Sequence, residues 1–289
     1  MKIRKAAVAG RFYEADPDKL RKEVNSYMGD GGKADGTVLG ILVPHAGYAY
    51  SGAVAGTAFS FLRGMNFDTA VIIGTAHTEA VRGASILTTG SFETPLGLAE
   101  IDAELAGELM LASGLFEERP SAHLREHSIE VELPFLQALG RPFRFVPVLV
   151  NTEDIGTLQE LGRVIGRKIK GRKAVVCVSS DLSHYPPGGL AERSDLSLLA
   201  AFQTAVRNGN LEHFALANSL LLEAARGAMD TAACGFAAMA VGAAACMEAG
   251  ADDYRLLRYT HSGKISGDNG GVVGYGAGLF TAGGKRAPR

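Results

Sequence analysis

The chain has 289 residues, 47% of them apolar and 21% charged, with a formal net charge of −2. A chain this long can bury roughly 75% of the surface its unfolded form exposes, enough for one large α/β core. The near-neutral balance excludes broad electrostatic attraction to nucleic acid or to an anionic membrane surface. The opening MKIRKAAVAGRFYEAD carries early bases but no apolar run, so a signal peptide is not expected.

In chain order, Asp16-Pro17 reads as a cap followed by proline at the first helical position. Leu20, Val24, Tyr27 and Met28 form the apolar face of that helix. A glycine-rich loop over 29–36 precedes an apolar strand over 38–43. A Gly/Tyr/Ser-rich turn then leads to a helix over 52–63 and a strand at 69–75. Helical periodicity recurs over 101–112 and 128–139, followed by the strand RFVPVLV (144–150), a helix over 153–170 and the strand KAVVCVSS (173–180). Long helices are expected over 192–207 and 231–248. RLLRYTH (255–261) follows, and VVGYGAGLF (272–280) closes as a glycine-rich strand. The stretch TAACGFAAMAVGAAACM (231–247) is the one worth testing as a membrane span. Its alanine and glycine content reads better as a buried helix that lets neighbours approach closely.

Strands that are apolar throughout, separated by helices, imply a mostly parallel sheet with both faces covered. The expected architecture is therefore a single α/β domain spanning 1–289, three-layered α/β/α. SILTTGSFETP and the final strand could add antiparallel edges. The cysteines Cys177, Cys234 and Cys246 are odd in number and form no CxxC pair, which argues against a disulfide scaffold. A reducing cytoplasm is the simplest setting.

Ligands in open α/β sheets gather beyond the carboxyl ends of the strands. His45, His77 and the segment Asp181-Leu182-Ser183-His184 all follow strand ends. His45 sits in PHAGYAYSG, where proline and glycine favour a sharp bend; the plainer alternative is a loop histidine bonded to a carbonyl. Cys234 lies near the start of the small-residue helix, where a thiol's pKa is lowered, though core packing is an equal possibility. Asp181 could be a ligand, a residue that orients an imidazole, or a turn cap. His184 reads either as an acid–base residue or as a core histidine. Glu126 and His127 could simply cap the following helix. His123 and His213 lie in polar stretches and are expected at the surface, and His261 could border the pocket. P-loop, GxGxxG, GxSxG and HExxH patterns are missing, which leaves metal chemistry as the strongest reading.

PHAGYAYSG, GTAH, EHSIEVELPF, PVLV, SSDLSHY and the AACG around Cys234 together resemble the Memo family, whose bacterial members are the B component of the AmmeMemoRadiSam system. AGRFYEAD is similar to the family's AGxWY-type opening, with Phe12 in place of tryptophan. The resemblance runs from about residue 6 to 281. It implies a fold like that of the LigB-like class III extradiol dioxygenases, a metal trio at His45, His77 and Cys234, and a neighbouring pocket pair at Asp181 and His184. It also places Glu126 and His127 beside the same cleft. A cysteine where a standard facial triad carries a carboxylate means that catechol cleavage does not follow from fold alone. The resemblance implies Fe(II), with Cu or Zn as alternatives, in a dioxygenase-like oxidoreductase of unknown substrate. The competing implication is a non-catalytic metal- or peptide-binding component of a radical SAM-associated modification system. The partners implied are the radical SAM protein and an AMMECR1-like protein, with a small aromatic or peptide ligand.

Overall fold

The computed structural model describes residues 2–284. A short strand β1 (Ile3–Arg4) precedes helix α1 (Pro17–Met28). As the sequence predicts, the Asp16 side chain caps α1 by accepting from the amides of Asp18 and Lys19. Proline occupies the first turn, where a missing N–H costs nothing. Leu20, Val24 and Met28 form its buried stripe. Next come β2 (Thr37–Val43), α2 (Tyr48–Phe59) and β3 (Thr69–Thr75). Four short strands follow, β4 (Ala84–Ile86), β5 (Ser91–Thr94), β6 (Gly97–Ile101) and, after α3 (Ala103–Ala112), β7 (Phe116–Glu117). Then come α4 (Pro120–Leu124), a 3₁₀ turn over Glu130–Glu132, α5 (Leu133–Ala138), β8 (Arg144–Val150), α6 (Ile155–Ile169) and β9 (Ala174–Ser179). The remainder is α7 (Gly188–Asn208), α8 (Leu211–Ala225), α9 (Phe236–Ala249), β10 (Asp253–His261), α10 (Gly263–Ser266) and β11 (Gly274–Ala282).

The strands join one mixed sheet in the order β1-β5-β6-β8-β3-β9-β2-β11-β10, with β4 and β7 alongside. Its centre, β8-β3-β9-β2, is parallel throughout, with Cys177 level with Ile72 on one side and Ile41 on the other. The edge β2-β11-β10 is antiparallel, as is the β5-β6 hairpin. This is a single-domain α/β fold with a large mixed sheet. The connection β2-α2-β3 moves along the sheet one way and β8-α6-β9 the other. Right-handed crossovers running in opposite directions put their helices on opposite faces.

Side chains alternate across β9 and identify the two faces. Val178 points at α9, so closely that a Cβ at Gly242 would collide with it. Its neighbour Ser179 points the other way, to Glu132 in the 3₁₀ turn. On the Ser179 face, α1, α2 and α5 pack together, with the Phe59 and Phe135 rings stacked at 4.8 Å. On the opposite face α6 lies along α9, and Gly162 leaves room for Ala244. The small residues of α9 thus serve close helix packing. No helix among the described residues is long and apolar enough to cross a membrane.

The elements differ from the sequence expectation in four places. Helix α8 carries leucines on both sides, with Leu216 and Leu220 exposed and Leu211 and Phe214 buried, so no single apolar stripe marks it. Helix α2 starts at Tyr48, inside the expected turn. The helix expected over 128–139 resolves into the 3₁₀ turn and α5, because Pro134 has no N–H with which to bond the carbonyl of residue 130. The helix expected from 231 begins at Phe236. The segment before it is held off the helix by the His184 amide donating to the Thr231 carbonyl and the Gly235 amide donating to Ser180 Oγ.

Candidate metal centre

Three neighbouring parallel strands end on one edge of the sheet, and each delivers polar residues to the same crevice. His45 follows β2, His77 follows β3, and Asp181 and His184 follow β9, which lies between the other two. Cys234 reaches the same place from the segment before α9. Gly235 is required there, since a Cβ would meet Ser180 Oγ and Cβ at 2.6 Å. Two sets of ligand atoms, each within 4.8 Å of one another, share His45. One is His45, His77 and His127; the other is His45, Asp181 and Cys234. Each set pairs His45 with only one of the other two expected ligands, and neither set unites His77 with Cys234.

The hydrogen bonds fix which ring nitrogens are available. Glu126 Oε2 accepts from the His77 amide at 2.7 Å, and Oε1 lies 3.0 Å from His77 Nδ1. Oε1 also accepts from the amides of His127 and Ser128 at 2.9 Å. Burial alone would raise the Glu126 carboxyl. The hydrogen bond from His77 and the nearby imidazoles outweigh it and bring it down to about 2. An ionised carboxylate can only accept, so His77 Nδ1 is the donor in this pair and Nε2 lies outside it. His45 Nδ1 lies 2.9 Å from Ser179 Oγ, and its Nε2 lies 3.1 Å from Cys234 Sγ. Burial, then the His127, His77 and His184 rings, hold His45 well below the usual histidine range, so the ring is neutral.

Imidazoles held through Nδ1, beside a thiol, are the kind of donor that a borderline-soft cation takes. A tetrahedral site with bonds near 2.3 and 2.0 Å sets its sulfur and nitrogen about 3.5 Å apart, within a few tenths of an ångström of the spacing here. Either set, His45 with His77 and His127 or His45 with Asp181 and Cys234, is close enough to hold a metal ion. The lowered thiol pKa expected from the helix start is reversed: burial and the Asp181 carboxyl push Cys234 up. A bound cation opposes both effects, since a coordinating thiol is deprotonated.

Asp181 Oδ1 accepts from the amides of His45 at 2.8 Å and Ala46 at 3.2 Å. Burial nevertheless raises its carboxyl to about 7. His184 is half-buried, its Nε2 has no hydrogen-bond partner, and burial followed by the neighbouring His77 lowers its pKa. His127 stacks on His77 at 4.8 Å and meets Phe12 edge-on at 4.9 Å; burial brings it down to about 4. The crevice is closed at His45, 1% exposed, and open where the His77 and His127 side chains are 29% and 22% exposed. Tyr50 and Tyr185 are exposed nearby, both close enough to Tyr275 to influence it, as is Asp181. Tyr185 adopts a left-handed conformation, φ 65°, uncommon for a bulky residue.

His123, expected at the surface, is buried. Its Nε2 lies 3.0 Å from Ser85 Oγ, and burial, then Arg4, lowers it to about 3. His213 is exposed on α8, as expected, and His261 is buried at the end of β10 beside Gly188. Cys177 and Cys246 are buried thiols in the core. Sequence reasoning passed over Ser179 and Glu132. The available signal was the pair of acids in the otherwise apolar run IEVELPF.

A family model described as Memo-like protein matches residues 4–279. A MEMO1 family protein of Methanopyrus kandleri is 37% identical, covering 97% of this chain and 99% of its own. Another from Methanothermobacter thermautotrophicus is 36% identical over 94% and 98%, and one from Aquifex aeolicus is 33% identical over 95% and 98%. Among solved structures, the uncharacterized protein JW3007 from Escherichia coli K12 superposes with a TM-score of 0.58 at 12% identity. It covers 84% of this chain and 100% of its own, a likeness of fold alone.

Proposed function

The chain belongs to the Memo-like protein family, and on that premise we propose that it is a metal-dependent oxidoreductase of non-haem, dioxygenase-like type. His45, His77 and Cys234 would hold Fe(II), with Cu or Zn as the alternatives. The observation that carries this reading is the paired orientation of His45 and His77, each committed through Nδ1, with His45 Nε2 turned to Cys234 Sγ at 3.1 Å. Bound iron would supply one-electron and O₂ chemistry that no side chain provides.

The remaining steps fall to the chain's own residues. Glu126 and Ser179 fix the two rings. Asp181 fixes the backbone that presents His45, through the amides of His45 and Ala46. His184, neutral and with an unpartnered Nε2, is placed to accept a proton from an acidic hydroxyl entering the open side. Tyr50 and Tyr185 offer aromatic faces to a small aromatic or peptide ligand.

The test is anaerobic Fe(II) loading followed by oxygen uptake over a panel of catechols and other phenols. Uptake that needs iron and is lost in Cys234→Ala is the expected result; no turnover with one iron bound per chain overturns the reading. One observation favours a second reading, a binding component of a radical SAM-associated system: the third ligand is a thiol rather than a carboxylate. Pull-down with the radical SAM protein, unaffected by His45→Ala, would support it.

A further inference from the structure

Glu132 is completely buried in the 3₁₀ turn beneath the crevice, and among the described residues no cation acts on it to keep it ionised. The buried cation of this turn, Arg4, is paired with Glu130 instead. The titratable groups that face Glu132 are Tyr48, Asp181 and Cys177, and burial disfavours the charged form of each. Among the described residues, the one hydrogen-bond partner of the Glu132 side chain is Ser179 Oγ, 2.9 Å from Oε1, and Oε2 has none.

Counting the protons around Ser179 decides the arrangement. Its hydroxyl has one proton to give and two lone pairs to accept with. Three groups contact it: the Ser128 carbonyl at 2.6 Å, Glu132 Oε1 at 2.9 Å and His45 Nδ1 at 2.9 Å. A carbonyl can only accept, and it makes the shortest contact, so it takes the serine proton. The other two neighbours must each donate. For His45 that requires a proton on Nδ1. For Glu132 it requires a proton on the carboxyl group, with Oε2 left as a bare carbonyl oxygen, among the cheaper buried groups to leave unbonded.

We propose that Glu132 is a neutral carboxylic acid that donates to Ser179 and so holds the hydroxyl whose remaining lone pair takes the Nδ1–H of His45. Glu132 is a positioning residue: it acts on His45 through Ser179. Its use for metal binding rests on the function proposed above, but the proton arrangement belongs to the chain without metal.

The test is made on the full, metal-free chain. Infrared difference spectra between wild type and Glu132→Gln should show a protonated-carboxyl carbonyl band that persists from mildly acidic to mildly alkaline pH. Nitrogen NMR of labelled histidine should report His45 as Nδ1–H in wild type and in Glu132→Gln, whose amide N–H also donates. Glu132→Leu should keep that tautomer, since the Ser128 carbonyl still takes the serine proton, but should lose the carboxyl band. In a competition titration with Zn²⁺, the leucine variant should bind about tenfold or more weakly while the glutamine variant retains affinity. Absence of the carboxyl band, or a wild-type His45 found in the Nε2–H form, overturns the proposal. Failure of wild type to take up Zn²⁺, with the band and tautomer as expected, would count against the metal reading alone.

Discussion

Two buried glutamates stand two residues apart, Glu130 and Glu132, and the protein treats them oppositely. Glu130 is saturated: it pairs with Arg4 and accepts from the amides of Ala7 and Val8 and from the Tyr13 hydroxyl. It clasps the amino-terminal segment to the body of the fold. Glu132 has a single partner, Ser179, and lies under the ligand crevice. With three residues per turn, two positions in a 3₁₀ turn lie about 120° apart around its axis, so similar acids acquire different work. A buried charge is tolerated where donors surround it; where they are missing, the group takes up a proton instead.

The largest expected effect breaks the clasp. Glu130→Ala strands Arg4 in the interior together with two amides and the Tyr13 hydroxyl, and should cost about 3–5 kcal/mol in urea denaturation. A loss below about 1 kcal/mol would mean that the amino-terminal segment detaches freely.

A third buried carboxyl extends the comparison. Asp195 accepts from the Ser183 amide at 3.1 Å and the Tyr259 hydroxyl at 2.7 Å, yet burial raises it to about 6 from 3.8. An acid whose pKa is raised by folding binds its proton more tightly in the native state. Its favourable contribution is complete below the unfolded value and is lost as pH rises through the folded one. Stability should therefore fall by roughly 1–3 kcal/mol between about pH 4 and pH 7 from this group. Denaturant midpoints across that range should show the slope in wild type and lose it in Asp195→Asn. Glu126, lowered to about 2, contributes in the opposite direction, and its share is lost as pH falls from about 4.5 towards 2.

Ser179→Ala removes the hydroxyl that orients His45 and should weaken Zn²⁺ binding roughly ten- to hundredfold, measured by competition with a chelating dye. The smallest stability effect is expected at Glu132. Glu132→Leu replaces a neutral, singly bonded acid with an apolar side chain, and should cost no more than about 1–2 kcal/mol, less than the change at Glu130. Equal costs at the two positions would show that Glu132 is charged and paired after all.

The sequence by itself determined the parallel centre of the sheet, the strand ends at residues 43 and 75 and, to within one residue, at 179, and the kinds of side chain that follow them. Apolar runs and their spacing are local properties, and the motifs around His45, His77 and Asp181 lie within a few residues of each strand. The same locality hid helix α8, whose leucines face both core and solvent, and the burial of His123, which sits in a polar stretch but packs beneath Arg4 and Ser85. Only the tertiary structure put β9 between β2 and β3, which sets Asp181 and His184 beside the two histidine loops. It also carried Cys234 Sγ to within 3.1 Å of His45 Nε2 across 189 positions of chain. The partners of the His45 and His77 Nδ1 atoms were decided there too, because Ser179 and Glu126 reach those rings from distant segments.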